Sequence, residues 1–209
     1  MSPVKRNKQA DRARQTRRRI TGAAHDLFVE HGYGATTLQD VAGRAGVAVQ
    51  TIYFTFGNKR SLLKEVVDTS IAGDDQPIAT MDRAWFRDAL AADTAAAGLC
   101  QFVRGTGQVI ARAAPIIEVL RTATAIDPEI TGLWPQDVDM RFTVHAAAAR
   151  ALMAKPGARA RVSAEHAADL LYGVLSPELY LLYVRDRGWT PGQWEQWVSG
   201  TLRSQLCDR

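Results

Sequence analysis

Cysteine is scarce in this chain of 209 residues, and long apolar runs are missing. The two cysteines, Cys100 and Cys207, lie far apart and share no spacing typical of metal ligands. The most apolar stretch, residues 167–184, is interrupted by proline and acidic residues, unlike a membrane span. The N-terminus also lacks the apolar segment of a signal peptide. We therefore expect reduced thiols in a cytoplasmic protein with no metal site and no membrane span.

The signatures of common catalytic centres are missing as well. The sequence contains no HExxH, no CxxC, no glycine-rich phosphate loop and no paired carboxylates. Glu165-His166 and Asp139 have no partners that would complete a catalytic group. We therefore predict that the protein is not an enzyme and uses no cofactor, and a helical enzyme is the least favoured alternative.

Positive charge is concentrated at one end of the chain. Eight of the first nineteen residues are basic and only Asp11 is acidic, although the whole chain carries a net charge of +4. The remaining residues are therefore slightly acidic in sum. A basic arm on such a body indicates a polyanionic partner, and the alternative is a solvated tail. The arm lacks large apolar residues, which argues against a membrane surface.

Hydrophobic residues make up 46% of the chain, and nearly all of its segments have helical periodicity. An apolar stripe from Ile20 to Phe28 predicts a helix over residues 12–31 that ends at Gly32. Thr36 with Gln39 matches a capping box for a second helix, which Gly46 ends. A third helix is expected over residues 48–54 and a fourth after a capping Asn58.

The second part of the chain begins after residues 73–77, which have the composition of a linker. An apolar stripe over residues 99–124 predicts a helix broken or kinked at Pro115. Asp127-Pro128-Glu129 has the composition of a helix start, with Asp127 as the cap. One long helix is expected over residues 163–187, and Thr190 with Gln193 predicts a capping box for the last helix.

These patterns predict an all-α fold of about nine or ten helices. Residues 1–67 would form a basic arm and a three-helix DNA-binding domain. Residues 68–209 would form a helical domain for ligand binding and dimerisation.

The segment over residues 37–59 has the strongest functional signal. It contains a short helix, a tight turn at Gly46, a second short helix and the basic Lys59 just beyond it. Such a unit places its second helix in the major groove, where Gln and Thr can address base edges and apolar atoms can meet thymine methyl groups. The residues that we predict to contact DNA are Arg17, Arg18, Thr36, Thr37, Ala48, Val49, Gln50, Thr51, Tyr53, Phe54, Thr55 and Lys59.

Residues 17–68 resemble the TetR family of bacterial regulators. The resemblance rests on Ala24, Leu27-Phe28, Gly32-Tyr33, Thr36-Thr37, Val41-Ala42, Ala45-Gly46-Val47, Tyr53, Phe56, Lys59 and Leu62-Leu63. Ala48 stands where many members have Ser, which weakens capping of the recognition helix. Phe54 and Thr55 replace a common Tyr or His pair, so the base preference of other members does not carry over.

The resemblance implies a ligand pocket in the second domain and a four-helix dimer interface built by the last two helices. The expected pocket residues are Trp85, Phe102, Ile117, Leu120, Trp134, Phe142, His145 and Tyr172. The expected interface residues are Leu171, Val174, Leu182, Trp194, Trp197, Val198, Thr201 and Leu202. Any one of these side chains is also a reasonable core residue, and His145 is set among alanines.

We therefore expect a homodimeric transcriptional regulator that binds a pseudo-palindromic operator in double-stranded DNA. A repressor released by a small apolar or amphiphilic effector is the favoured form. A DNA-binding or architectural protein without a ligand is the main alternative. Neither the operator, the effector nor the direction of regulation follows from the sequence.

Overall fold

A computed structural model describes residues 3–208, with side chains from Gln9 onward. These residues form ten α-helices, and their one β-type contact is an isolated bridge between Ala158 and Cys207. The all-α prediction is confirmed. The helices are α1 (Pro3–Ala35), α2 (Leu38–Ala45), α3 (Val49–Phe56), α4 (Lys59–Ala72), α5 (Ala84–Ala91), α6 (Ala95–Ile126), α7 (Met140–Met153), α8 (Ala164–Val174), α9 (Pro177–Leu181) and α10 (Pro191–Leu206).

Across the described residues, no helix is both long and apolar enough to cross a membrane. The basic residues of the arm before Gln9, namely Lys5, Arg6 and Lys8, have side chains outside the described set. The predicted contact of that part of the arm with DNA therefore stays a prediction.

Local capping chemistry sets the ends of the first four helices. The helical geometry of α1 is interrupted at Gly32, whose φ of 80° suits glycine. Gly46 ends α2 in the left-handed region, and the side chain of Asn58 accepts from the N–H of Ser61, 2.9 Å away, at the start of α4. The predicted stops and the Asn58 cap are confirmed.

The capping box of α2 is shifted by one residue from the predicted pair. Thr37 accepts from the N–H of Asp40, and the Asp40 carboxylate accepts from the N–H of Thr37. The hydroxyl of Thr36 instead donates to the carbonyls of Leu27 and Gly32, at 3.1 and 2.8 Å. The prediction of Thr36 with Gln39 was wrong because the Thr36 side chain faces the carbonyl groups near the end of α1.

The described residues divide into two compact units. The first contains the residues up to Ser70 together with Pro115–Trp134, and the second contains Ile71–Ala114 and the residues from Pro135 onward. The first unit therefore includes a segment that lies 45 residues or more beyond its main part in the sequence.

The first unit has its own apolar core, which polar contacts supplement. Ile20, Phe28 and Ile52 are fully buried in it, as is Ile130 of the later segment. Arg60 of α4 forms ion pairs with Asp127, at 2.5 Å, and with Glu129. The indole N–H of Trp134 donates to Asp68 at 2.9 Å. Asp127 is the N-cap residue of a helix with Pro128 at its first position, as predicted, but this helix, Pro128–Leu133, is a 3₁₀ helix and the Asp127 side chain makes no capping hydrogen bond to it.

The second unit has one large apolar core. The core draws on α5 to α10 and on residues 95–114 of α6, and it includes Phe102, Leu171 and Trp194. The capping box of Thr190 and Gln193 at the start of α10 is confirmed.

Two helix predictions differ from the observed helices. Helix α6 is not broken at Pro115, because buried side chains such as Ala114 and Ile116 keep its packed face on both sides of the proline. The predicted helix over residues 163–187 is broken. Ser176 caps a new helix with Pro177 at its first position, and Leu182–Asp186 form a turn of π-helix.

Candidate nucleic-acid interface

Helix α3 exposes a face with mixed polar and apolar side chains. Ile52 and Phe56, four residues apart, are buried and attach the helix to its unit. On the other side Gln50 is exposed, Tyr53 is 53% exposed and Phe54 is 94% exposed. The N-cap residue Ala48 makes no side-chain hydrogen bond, as the missing serine predicts. The helix is therefore held by apolar packing and leaves one face open.

A concave surface that encloses a volume of about 580 Å³ lies beside this open face of α3. It is formed by the start of α2, the side of α3 and the start of α4. Its lining residues are Gly34, Thr36, Thr37, Leu38, Gln39, Val49, Tyr53, Asn58 and Lys59. The N-terminus of a helix carries unpaired N–H groups and a partial positive charge, both of which favour an anion such as phosphate.

Lys59 provides the positive charge of this surface. Its ammonium group donates to the carbonyl of Gly34, 3.5 Å away, and lies 4.2 Å from the centre of the Tyr33 ring. Partial burial lowers the pKa of Lys59, while the Asp127 carboxylate opposes that change. A lysine held over an aromatic ring in this way is suited to hold a phosphate at a defined place.

The two arginines predicted to contact DNA have different surroundings. The Arg17 guanidinium forms two 2.8 Å contacts with Glu65 and stacks over the Phe56 ring at 4.7 Å. The hydrogen bond from Arg17 to Glu65 raises the pKa of Arg17. Arg17 therefore ties α1 to α3 and α4, which favours a structural role, and its contact with DNA stays a prediction. Arg18 is exposed on α1, so its assignment stays a prediction.

Two threonines of the predicted set have hydroxyl groups that donate to backbone carbonyls. Thr36 is only 2% exposed, and its hydroxyl donates to α1 as described above, so its side chain is not available to DNA. The Thr55 hydroxyl donates to the carbonyl of Thr51 at 2.6 Å. Thr36 is thus a correction to the predicted set, and Thr55 retains only acceptor capacity.

Four residues of the concave surface escaped the sequence analysis. Gly34 lies near the end of α1, Leu38 and Gln39 form the first turn of α2, and Asn58 precedes Lys59. The capping signals at Thr37 and Asn58 could have identified the last three, because the N–H groups of a first helical turn lie next to its cap.

Five of the eight residues predicted to line a ligand pocket form a chain of ring contacts in the second unit. The successive centroid distances are 6.2, 5.8, 5.9 and 5.6 Å. In order, the chain consists of Trp85, Phe102, His145, Tyr172 and Phe142. The other three residues, Ile117, Leu120 and Trp134, belong to the first unit.

His145 is the polar member of this chain. Its Nδ1 lies 2.6 Å from the carbonyl oxygen of Arg141, which assigns the ring proton to Nδ1. Nε2 is then an acceptor, and it is buried without a partner among the described residues. Burial lowers the pKa of His145, which favours the neutral ring.

Half of the predicted dimer interface is core of the chain's own second unit. Leu171, Trp194, Val198 and Leu202 are all buried in that unit, so their assignment to an interface was wrong. The physical reason is that the apolar stripes of α8 and α10 pack within one chain. The other four residues stay predictions: Val174, Trp197 and Thr201 are half-buried, and Leu182 is 47% exposed.

The fold and the site define a helix-turn-helix protein with a second, helical unit. Residues 20–66 match the family described as "Bacterial regulatory proteins, tetR family". This match supports the resemblance of residues 17–68 to the TetR family.

Two transcriptional regulators match parts of this chain. The chain is 37% identical over 73 residues to the uncharacterised HTH-type transcriptional regulator YezE of Bacillus subtilis, which covers 35% of each protein. It is 28% identical over 157 residues to the HTH-type transcriptional regulator AlkX of Mycobacterium tuberculosis, covering 66% of this chain and 74% of AlkX. The match with YezE thus spans about a third of that relative's length.

A solved structure extends the likeness of fold to nearly the whole chain. A Mesorhizobium loti protein described as a TetR-family transcriptional regulator has a TM-score of 0.69 at 17% identity, over 94% of this chain and 99% of the other. At this identity the likeness concerns the fold alone.

Proposed function

We propose that this protein is a DNA-binding transcriptional regulator whose helix α3 enters the major groove. The observation that carries the proposal is the juxtaposition of the exposed face of α3 with the concave surface at Lys59 and the start of α2. Side chains of α3 address base edges, while Lys59 and the N–H groups of α2 hold phosphates beside them.

Selection of bound fragments from random and genomic DNA tests this proposal. The full chain should enrich one sequence motif and bind it far more tightly than an unrelated duplex. The affinity should fall steeply as salt is added, because phosphate contacts release counterions. Recovery of no motif, with equal affinity for all duplexes, would contradict sequence-specific regulation and favour an architectural role.

The regulator binds its operator as a homodimer. A single short recognition helix covers too little DNA for specific binding, and two copies read two half-sites of a pseudo-palindrome. The proposed contact uses the sides of α8 and α10 that carry the half-buried Val174, Trp197 and Thr201, together with the exposed Leu182. Sedimentation of the chain alone and on a selected duplex tests the dimer and its ratio to DNA.

The second unit binds a small apolar or amphiphilic effector that releases the protein from DNA, so that the protein acts as a repressor. Support comes from the aromatic chain around His145 and from two buried polar atoms without partners among the described residues, His145 Nε2 and Thr106 Oγ1. An effector with a hydrogen-bond donor would satisfy Nε2 and bury its apolar part against the rings.

Release requires that the effector bind better to a conformation in which the two recognition helices do not match the operator. A coupling of about 1–3 kcal/mol is the usual range for such regulation. A metabolite screen by thermal shift should yield compounds that also lower DNA affinity, and His145→Phe should abolish both effects. If every stabilising compound leaves DNA affinity unchanged, the protein does not act as a sensor.

A further inference from the structure

Helix α3 contains no charged side chain. Its sequence is VQTIYFTF, from Val49 to Phe56. Arginine and lysine are the residues that most often read guanine, by donating to its O6 and N7 in the major groove. A recognition helix without either one has no cation with which to select guanine.

Phe54 is the most exposed large apolar residue on this helix. Its side chain is 94% exposed, whereas Phe56, two residues later, is buried. Gln50 lies four residues before Phe54, so the two side chains share one face of the helix. That face therefore presents an amide and, one turn later, an aromatic ring.

The neighbouring positions are less suited to hydrogen bonding with bases. The Thr55 hydroxyl donates to the carbonyl of Thr51, and Ile52 is buried. Val49 and Tyr53 line the concave surface with Lys59, which places them on the phosphate side. Gln50 and Phe54 are thus the side chains best placed to meet base edges.

An A·T base pair offers what these two side chains can recognise. Adenine presents N6 and N7, which a glutamine amide can pair with in a bidentate manner. Thymine presents its C5-methyl group, which is the apolar feature of the major groove. Covering that methyl group would also remove part of the Phe54 ring from water.

We propose that α3 reads A·T base pairs, with Phe54 against a thymine methyl group and Gln50 on an adenine in each half-site. The proposal rests on the proposed function, because it names the bases that the same surface selects. It makes Phe54 a specificity-determining residue.

The test replaces single thymines by deoxyuridine in a labelled duplex that carries the selected motif. Deoxyuridine keeps the base pairing and lacks only the methyl group. The wild type should lose about fourfold in affinity for a substituted half-site, the factor that corresponds to burying one methyl group. Phe54→Ala should bind the unmodified duplex more weakly and be insensitive to the same substitution.

Two controls make the result specific. Val29→Ala, which truncates an exposed apolar residue of α1, should retain the full deoxyuridine effect. In a second duplex, G·C replaces the sensitive A·T pair, with the cytosine in the position of the thymine. Replacing that cytosine by 5-methylcytosine should restore part of the affinity of the wild type and none of the affinity of Phe54→Ala. Because Phe54 is so exposed, its truncation should leave the melting temperature nearly unchanged.

The outcomes separate this proposal from the proposed function. A specific motif with guanines at the positions altered by Gln50→Ala would overturn A·T reading while leaving a DNA-binding regulator intact. A deoxyuridine effect that persists unchanged in Phe54→Ala would overturn the role of Phe54. Failure to enrich any motif would count against the proposed function itself.

Discussion

Helices α3 and α10 both carry large apolar residues at helical spacing, yet their structural roles are opposite. In α3 the ring of Phe54 is 94% exposed, whereas in α10 the ring of Trp194 is 1% exposed and belongs to the core. Helix α3 has eight residues and buries two of them, and α10 has sixteen residues and buries Trp194, Val198, Leu202 and Leu206. Apolar spacing therefore indicates burial on α10, whereas on α3 it accounts for the buried Ile52 and Phe56 and leaves the exposed Phe54 without a packing role.

The two units also differ in the contacts that stabilise them. The apolar core of the first is supplemented by ion pairs such as Arg17–Glu65 and Arg60–Asp127. The second has an extended apolar core that includes Phe102, Leu171 and Val198. Changes in the second core should therefore affect folding most, and changes on the exposed face of α3 in the first unit should mainly affect binding.

The largest effect is expected from a charge in the core of α10. Val198→Glu places a carboxylate without a partner at a fully buried position. An unpaired buried charge of this kind should lower the free energy of unfolding by about 3–5 kcal/mol. Thermal unfolding with circular dichroism should show a chain that is unfolded or melts far below the wild type.

The matched surface change is the double variant Leu182→Glu and Thr201→Arg. Leu182 is 47% exposed, so this protein should fold normally and sediment as a monomer that has lost operator binding. A folded Val198→Glu monomer, or a double variant that remains dimeric, would reverse the assignment of the two faces.

A smaller effect is expected from the adjacent arginines of α1. Arg17→Ala should lower the free energy of unfolding by about 1 kcal/mol, because it removes a partly exposed ion pair with Glu65 and a cation–π contact with Phe56. Affinity for the operator, measured well below the melting transition, should change little.

Arg18→Ala provides the comparison one residue along. It should weaken DNA binding and lower the slope of the logarithm of affinity against the logarithm of salt concentration by about one unit for each lost phosphate contact. If Arg17→Ala weakens DNA binding at unchanged stability, the assignment of Arg17 as a structural residue fails.

The smallest effect concerns pH and lies in the second unit. The Nη1 and Nη2 atoms of Arg83 donate to the Asp74 carboxylate at 2.9 and 3.1 Å. The backbone N–H of Gln76 donates to the same carboxylate. These bonds lower the pKa of Asp74 to about 2. Since the unfolded carboxyl has a pKa of about 3.9, the ionised Asp74 stabilises the fold above that pH.

The stabilisation should be lost as the pH falls from about 4 towards 2. The difference in melting temperature between the wild type and Asp74→Asn should therefore be constant above about pH 5 and should shrink below about pH 4. A difference that stays the same down to pH 2 would show that the ion pair does not form in the folded protein.

Helix ends governed by local chemistry could be predicted from the sequence. Gly46, Asn58 and the pair Thr190 and Gln193 act on N–H and carbonyl groups within a few residues, so their spacing is informative. Thr36 and Thr37 are adjacent and chemically alike, and only the position of the end of α1 decides which of them caps α2.

Contacts between distant residues could not be predicted in this way. The partner of Arg17 is Glu65, 48 positions away, and the partner of Arg60 is Asp127, 67 positions away. Nothing in the local pattern of α1 separates Arg17 from Arg18. Likewise, the stripe of α10 predicts that one face is buried, but it does not tell whether the same chain or a partner covers it.

The most direct test of the recognition surface is a binding profile over every single-base variant of the selected operator. It is measured for the wild type, Gln50→Ala, Thr51→Ala and Lys59→Ala. Gln50→Ala and Thr51→Ala should relax the preference at one or two positions of each half-site, at about 1–3 kcal/mol for each lost base contact. Lys59→Ala should weaken all variants alike and lower the salt slope by about one unit. Altered base preferences for Lys59→Ala, with unchanged preferences for Gln50→Ala and Thr51→Ala, would contradict the assignment of α3 as the helix that reads the bases.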